Sequence, residues 1–273
     1  MTAARDDDLR TRLEALQARL ARAAEAAGRD VADIELLPVT KFFPAADVAA
    51  LHRLGCRSFG ESRDQEATRK IAELSDLDTA IRWHMIGRIQ RNKARSVGEW
   101  AWAAHSVDNL KVVAALGRSA ADALTRGARA EPLRVFVQIS LDGDESRGGV
   151  DVDAPERVDA VCAAVEAESG LRLAGLMGIP PVGADADAAF ARLAGELRRV
   201  QDRCDGPLGL SAGMSGDLEA AVRHGSTCVR VGTALLGERP LTSPPEVTRV
   251  TSSSQATIPE SGHRSPPHEG SSQ

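Results

Sequence analysis

The chain has 273 residues, with 34 Lys and Arg against 39 Asp and Glu and a formal charge of −5. That length buries a substantial core as one large domain or two small ones, while well-interspersed, net acidic charge argues against a broad nucleic-acid or anionic-membrane surface. No stretch reaches the roughly 18 apolar residues of a membrane span, and the acidic start MTAARDDDLR lacks the apolar run of a secretory signal, so a cytoplasmic protein is expected.

Residues 8–27, DLRTRLEALQARLARAAEAA, repeat Leu and Ala at helical spacing and are closed by Gly28. A rhythm of β-type runs follows. They are IELLPVTK (34–41), RSFGES (57–62), IRWHMIG (81–87), WAAHSVD (102–108), LRVFVQIS (133–140), LRLAGLMGIP (171–180), PLGLSAGM (207–214) and CVRVGTALLG (228–237). Helix-like stretches rich in Ala, Leu, Glu and Arg lie between them, at 45–54, 64–74, 109–125, 154–168, 185–203 and 216–224. The pattern is weakest over 81–108. Runs apolar on both parities suit parallel strands covered on each face. Eight such β-α alternations predict an α/β fold, a single (β/α)8 TIM barrel over residues 1–238 with an extra N-terminal helix. Residues 239–273 are rich in Ser, Pro and Thr and poor in apolar residues, which predicts a disordered tail.

The four cysteines, Cys56, Cys162, Cys204 and Cys228, form no C-x-x-C pair and are read as buried free thiols. Asp142, Asp144 and Glu145 in SLDGDESRGG lack the spacing of a calcium loop. No metal site is expected. His84 and His105 read as core histidines bonded to backbone, and Trp83, Trp100 and Trp102 as packing residues.

In such a barrel, chemistry sits at the C-terminal ends of the strands. Lys41 ends the first strand and Ser62 the second. Ser211 and Ser215 lie in LSAGMSG after the seventh, and Arg230, Gly232 and Thr233 in RVGT at the end of the eighth. Glycine lets backbone N–H groups approach an anion, and hydroxyls add donors. These two loops therefore read as a phosphate cradle. A lysine across the mouth, partly buried beside Phe42 and Phe43 with its pKa lowered, can form a Schiff base with a phosphorylated aldehyde. Pyridoxal 5′-phosphate (PLP) fits that description, and a class I aldolase acting on a phosphorylated sugar would use similar parts.

The ordered set VTKFFP, FGESRDQE, WHMIGRIQRNKAR, HSVD, QISLDGDESRGGV, GLMGIPP and LSAGMSGDLEAAVRHGSTCVRVGTALLG resembles the pyridoxal phosphate homeostasis protein family across residues 34–237. The resemblance implies a barrel like the N-terminal domain of alanine racemase, with PLP on Lys41 and its phosphate at Ser211, Ser215, Gly232 and Thr233. It also implies that Arg230 faces the pyridine nitrogen. The chain departs from the family pattern at Ser62 and Ser140, where Asn is usual, at Arg147, where Lys is usual, and at Ala212, where Met is usual. Arg147 cannot form a Schiff base.

The chain contains no tyrosine. A racemase of this type needs a tyrosine on the substrate face opposite the lysine. An arginine at the ring nitrogen also keeps that nitrogen unprotonated and weakens the ring as an electron sink. The expected function is that of a PLP carrier acting in PLP homeostasis and delivery, monomeric, with apo-PLP enzymes as partners. The alternative is a slow PLP-dependent enzyme of alanine-racemase type.

Overall fold

A computed structural model describes residues 3–77 and 80–238, with no side-chain description at Glu145. The tail expected over 239–273 lies outside the described residues.

Helix α1, Ala3–Ala26, places Leu9, Leu13, Leu16 and Leu20 on one stripe, and all four are buried. The stripe packs on α2 (Ala45–Arg53), α8 (Leu218–Arg223) and α9 (Thr233–Leu236). Val48, Leu51, Leu218, Val222 and Leu235 share its core cluster.

Among the described residues nine strands follow: β1 Glu35–Pro38, β2 Ser58–Glu61, β3 Arg82–Met85, β4 Ala103–Val107, β5 Leu133–Ser140, β6 Val150–Asp151, β7 Leu171–Gly178, β8 Gly209–Ser211 and β9 Cys228–Val231. Eight of them pair in parallel in the order β1-β9-β8-β7-β5-β4-β3-β2, while the two-residue β6 pairs with β5 off this path. The ring meets itself between β1 and β2. There Val39 bridges Gly60, and Thr40 N–H donates to Gly60 O at 3.0 Å. The expected eight-stranded barrel is present, covered by α3 Asp64–Glu73, α4 Ala94–Trp100, α5 Leu110–Thr125, α6 Pro155–Ala167, α7 Ala186–Gln201 and the helices named above.

Several expected boundaries shift. The run 34–41 keeps only Glu35–Pro38 as strand, so Lys41 follows β1 rather than ending it. The run 228–237 divides at Gly232, giving β9 and then the four-residue α9. The run 207–214 keeps only Gly209–Ser211 as strand, because Gly213 turns the chain at φ 92°. Helix α4 had little pattern to announce it. It is seven residues long, and Gly98 lies so close to α5 that a Cβ there would stand 2.6 Å from Ser119 Oγ.

Because all the barrel strands are parallel, their C-terminal ends share one rim and their N-terminal ends the other. The lumen is not purely apolar. His84, His105, Ser211 and Arg230 are buried beside Phe136 and Met177.

Candidate cofactor site

Lys41 leaves the rim just beyond β1, half-buried, with Nζ 5.9 Å from the Phe42 ring centroid. Its two neighbours are pinned. Thr40 Oγ1 donates to Glu61 Oε1 at 2.6 Å, and Phe42 N–H donates to Glu66 Oε1 at 2.6 Å. Phe42 is the only non-glycine with positive φ among the described residues, at 71°. Such a conformation costs about 1–3 kcal/mol and persists only where its surroundings hold it. Lys70 supplies much of that hold. Its ammonium, fully buried, donates to Thr40 O at 2.8 Å, Glu61 Oε1 at 2.7 Å and Glu66 Oε1 at 2.8 Å. Burial raises the Glu61 carboxyl pKa, and the Lys70 charge opposes that rise.

Ser62 follows β2 on the adjoining strand end and is half-buried. The Gly87 backbone approaches its carbonyl so closely that a Cβ at Gly87 would sit 2.2 Å from Ser62 O.

Across the β1–β9 edge, Leu37 pairs with Arg230 and Pro38 with Val231. Gly232 therefore lies beside Val39, two residues before Lys41; a Cβ on Gly232 would be 3.6 Å from Val39 O. Gly213 stands against Ala221, where a Cβ would meet the Ala221 methyl at 2.6 Å. Ser215 Oγ accepts from Ala234 N–H at 3.2 Å, which ties the loop after β8 to the loop after β9. Helix α1 holds both loops. Arg19 donates to Ser215 O at 2.8 Å while paired with Glu219, and Arg5 donates to Leu236 O at 3.1 Å while paired with Asp47. The N–H groups of Ser215, Gly216, Gly232 and Thr233 make no hydrogen bond among the described residues, which leaves them as anion donors.

Arg230 is 4 % exposed. It donates to Ser211 Oγ at 2.5 Å and to Gly178 O at 3.2 Å. Among the described residues it has no ion-pair partner, and burial lowers its pKa. Ser211 is fully buried, and its hydroxyl also meets His105 Nδ1 at 2.8 Å. His105 Nε2 in turn lies 2.9 Å from His84 Nδ1. The two histidines are core residues, but they bond to each other and to Ser211 rather than to backbone. Arg230 must donate, so a consistent assignment runs every proton one way: Arg230 to Ser211, Ser211 to His105, His105 to His84.

The expected residues thus fall into two groups. Lys41, Ser62, Ser215, Gly232 and Thr233 sit at strand ends and loops on one rim, with Thr233 exposed. Ser211 and Arg230 lie beneath them in the lumen. Ser140 Oγ donates to Asp142, and Arg147 pairs with Asp142 and Asp144 beside a small cavity of about 140 Å³. Lys70, Glu61, Glu66 and Arg19 were not singled out from the sequence. On an amphipathic helix, Lys70 and Glu66 read as solvated charges. The one hint was an acidic residue, Glu61, inside a β-type run. No cluster of metal-ligating side chains occurs among the described residues.

The alanine racemase, N-terminal domain family matches residues 11–240. A pyridoxal phosphate homeostasis protein of Mycobacterium tuberculosis is 59% identical over 248 residues, 88% of this chain and 96% of that one. The pyridoxal phosphate homeostasis protein of Escherichia coli K12 is 35% identical over 85% of this chain and 97% of its own.

The chain belongs to the pyridoxal phosphate homeostasis protein family.

Among solved structures, PipY of Synechococcus elongatus PCC7942, with PLP bound, is 32% identical with a TM-score of 0.71, covering 84% of this chain and 100% of PipY. An alanine racemase from Streptomyces coelicolor is 20% identical with a TM-score of 0.65, and 58% of that chain is covered. That likeness is one of fold alone. No helix among the described residues is long and apolar enough to cross a membrane.

Proposed function

We propose that this protein binds PLP as a Schiff base on Lys41 and serves PLP homeostasis and delivery in the cytoplasm, as a monomer that passes the cofactor to apo-PLP enzymes. One observation carries the reading: an amine on a braced strand end lies next to two tied loops whose N–H groups await an anion. The PLP-bound structure of PipY and the names of the homologues support the cofactor's identity.

The residues present fit the group. Ser215, Gly232 and Thr233 would take the phosphate through backbone N–H groups and hydroxyls. Ser62 reaches the mouth from β2. Ser211 would act from below, by holding Arg230 toward the pyridine nitrogen. When bound, PLP supplies an aldehyde that captures amines and a ring that can withdraw electrons. Arg230 limits the second property. It is charged and fixed by two hydrogen bonds, so a proton on the adjacent ring nitrogen would meet like charge. Lys41 gives up the aldehyde when another amine competes for it.

The enzymatic alternative, slow racemase-type chemistry on amino acids, uses the same mouth. The absence of tyrosine from the whole sequence removes the usual second base of that mechanism and favours the carrier. The test is amino-acid turnover by PLP-loaded protein. The carrier reading expects racemisation no faster than with free PLP. Turnover above that level, lost in Lys41→Ala, would establish the enzyme instead.

A further inference from the structure

A second cavity, about 720 Å³, opens at the opposite end of the barrel. Its lining comes from the N-terminal ends of the strands: Glu35 of β1, Trp102 before β4, Arg134 of β5, Arg172 of β7, Gly209 of β8 and Cys228 of β9. Neither the PLP reading nor the family resemblance uses it.

Its charge arrangement is unresolved by the protein itself. Arg134 and Arg172 are direct cross-strand partners in the β5–β7 register, and like charges placed so are destabilising. Arg82 adds a third guanidinium, and both Arg82 and Arg134 stack on Trp102, at 5.1 and 4.2 Å from its centroid. Among the described residues, none of these arginines has an ion-pair partner. Arg134 Nε is buried without a hydrogen-bond acceptor. A buried donor of this kind is costly and calls for an oxyanion. Opposite charge lines the same space. Glu35 is one-third exposed and stands 4.0 Å from His84 Nε2, too far for a hydrogen bond, and His84 Nε2 is itself buried without a partner. Glu166 and Asp205 are the other carboxylates in the lining. A plain polyanion would satisfy the arginines and be repelled by these carboxylates.

We infer that this lower mouth binds a small zwitterion, its carboxylate held by Arg134 and Arg172 and its protonated amine by Glu35, the chemistry of a free amino acid. Charge-assisted hydrogen bonds at both ends give the site its selectivity. His84, whose Nε2 faces Glu35 across a 4.0 Å gap, is hydrogen-bonded in series through His105 and Ser211 to Arg230 under the other mouth.

The inference does not depend on PLP binding, and its test avoids the upper mouth. Full-length Lys41→Ala protein, prepared free of PLP, is titrated with the proteinogenic amino acids, and with carboxylates and amines of matched length, by calorimetry and intrinsic tryptophan fluorescence. At least one amino acid is expected to bind, and its deaminated and decarboxylated counterparts to bind at least about tenfold more weakly. Arg172→Ala and Glu35→Gln, at partly exposed positions, are each expected to weaken binding by a similar factor. Binding of none of the amino acids overturns the inference. So does equal binding of the simple carboxylate, or binding indifferent to both substitutions.

Discussion

Lys70 and Glu61 form an ion pair at 2.7 Å in which neither side chain touches solvent, directly behind the strand end that carries Lys41. Breaking such a pair from one side strands a buried charge and costs about 3–5 kcal/mol. Lys70→Met is therefore expected to lower unfolding stability by about that amount in urea denaturation. PLP capture by the surviving folded protein should slow, because Thr40 and Glu66 lose their shared donor. A loss below about 1 kcal/mol would show that the network does not support the rim.

Two glycines give opposite expectations. Gly175 has φ 143°, and a Cβ there would lie 1.8 Å from Gly209 O across the β7–β8 pair. Gly175→Ala should cost more than about 4 kcal/mol or abolish soluble expression. Gly195 lies within α7, where a Cβ would meet only the far end of Arg198 at 3.9 Å. Gly195→Ala should raise stability by about 0.5–1 kcal/mol. Thermal melts of the two variants check both signs.

The paired histidines predict an acid sensitivity. Burial lowers the His84 pKa to about 4, and burial with the charges of His84 and Arg230 lowers the His105 pKa well below its ordinary value of 6.5. Between pH 6.5 and 4 the unfolded chain then binds protons that the folded chain refuses, so stability falls as pH falls through this window. His84 alone accounts for roughly 3 kcal/mol at the acid end. Urea midpoints measured across that range should show the decline, and His84→Gln should flatten it. Midpoints that are constant with pH would contradict the neutral pair.

Arg19 reaches from α1 to Ser215 O and Glu219. Arg19→Ala should loosen the loop after β8 and weaken PLP affinity several-fold, while leaving the absorption maximum of the bound cofactor unchanged because Lys41 is untouched. Equilibrium dialysis and a spectrum of the same sample separate the two effects. An unaltered affinity would remove Arg19 from the site's support.

Much of the barrel was legible because parallel strands covered on both faces leave a dense apolar record. LRVFVQIS was expected as strand over 133–140 and is β5 over the same residues. Lys41, Ser62, Ser215, Gly232 and Thr233 could be placed on one rim because strand polarity alone puts them there. What could not be read depends on which way a side chain turns. Lys70 carries the charge and helical spacing of a surface residue, yet its ammonium is buried against two carboxylates. The bond between His84 and His105 needs β3 and β4 in register, and no spacing within either run reveals it. Trp102, expected to pack between helices and strands, lies under Arg82 and Arg134 at the lower mouth, a contact made by three separate strand starts.

The central claim is that Lys41 is the amine that holds the cofactor. Protein incubated with PLP, reduced with borohydride and digested should yield a single pyridoxyl-modified peptide, the one containing Lys41, and the band near roughly 420 nm should vanish on reduction. Modification at another lysine with Lys41 unlabelled, or the same band in Lys41→Ala, would contradict the account.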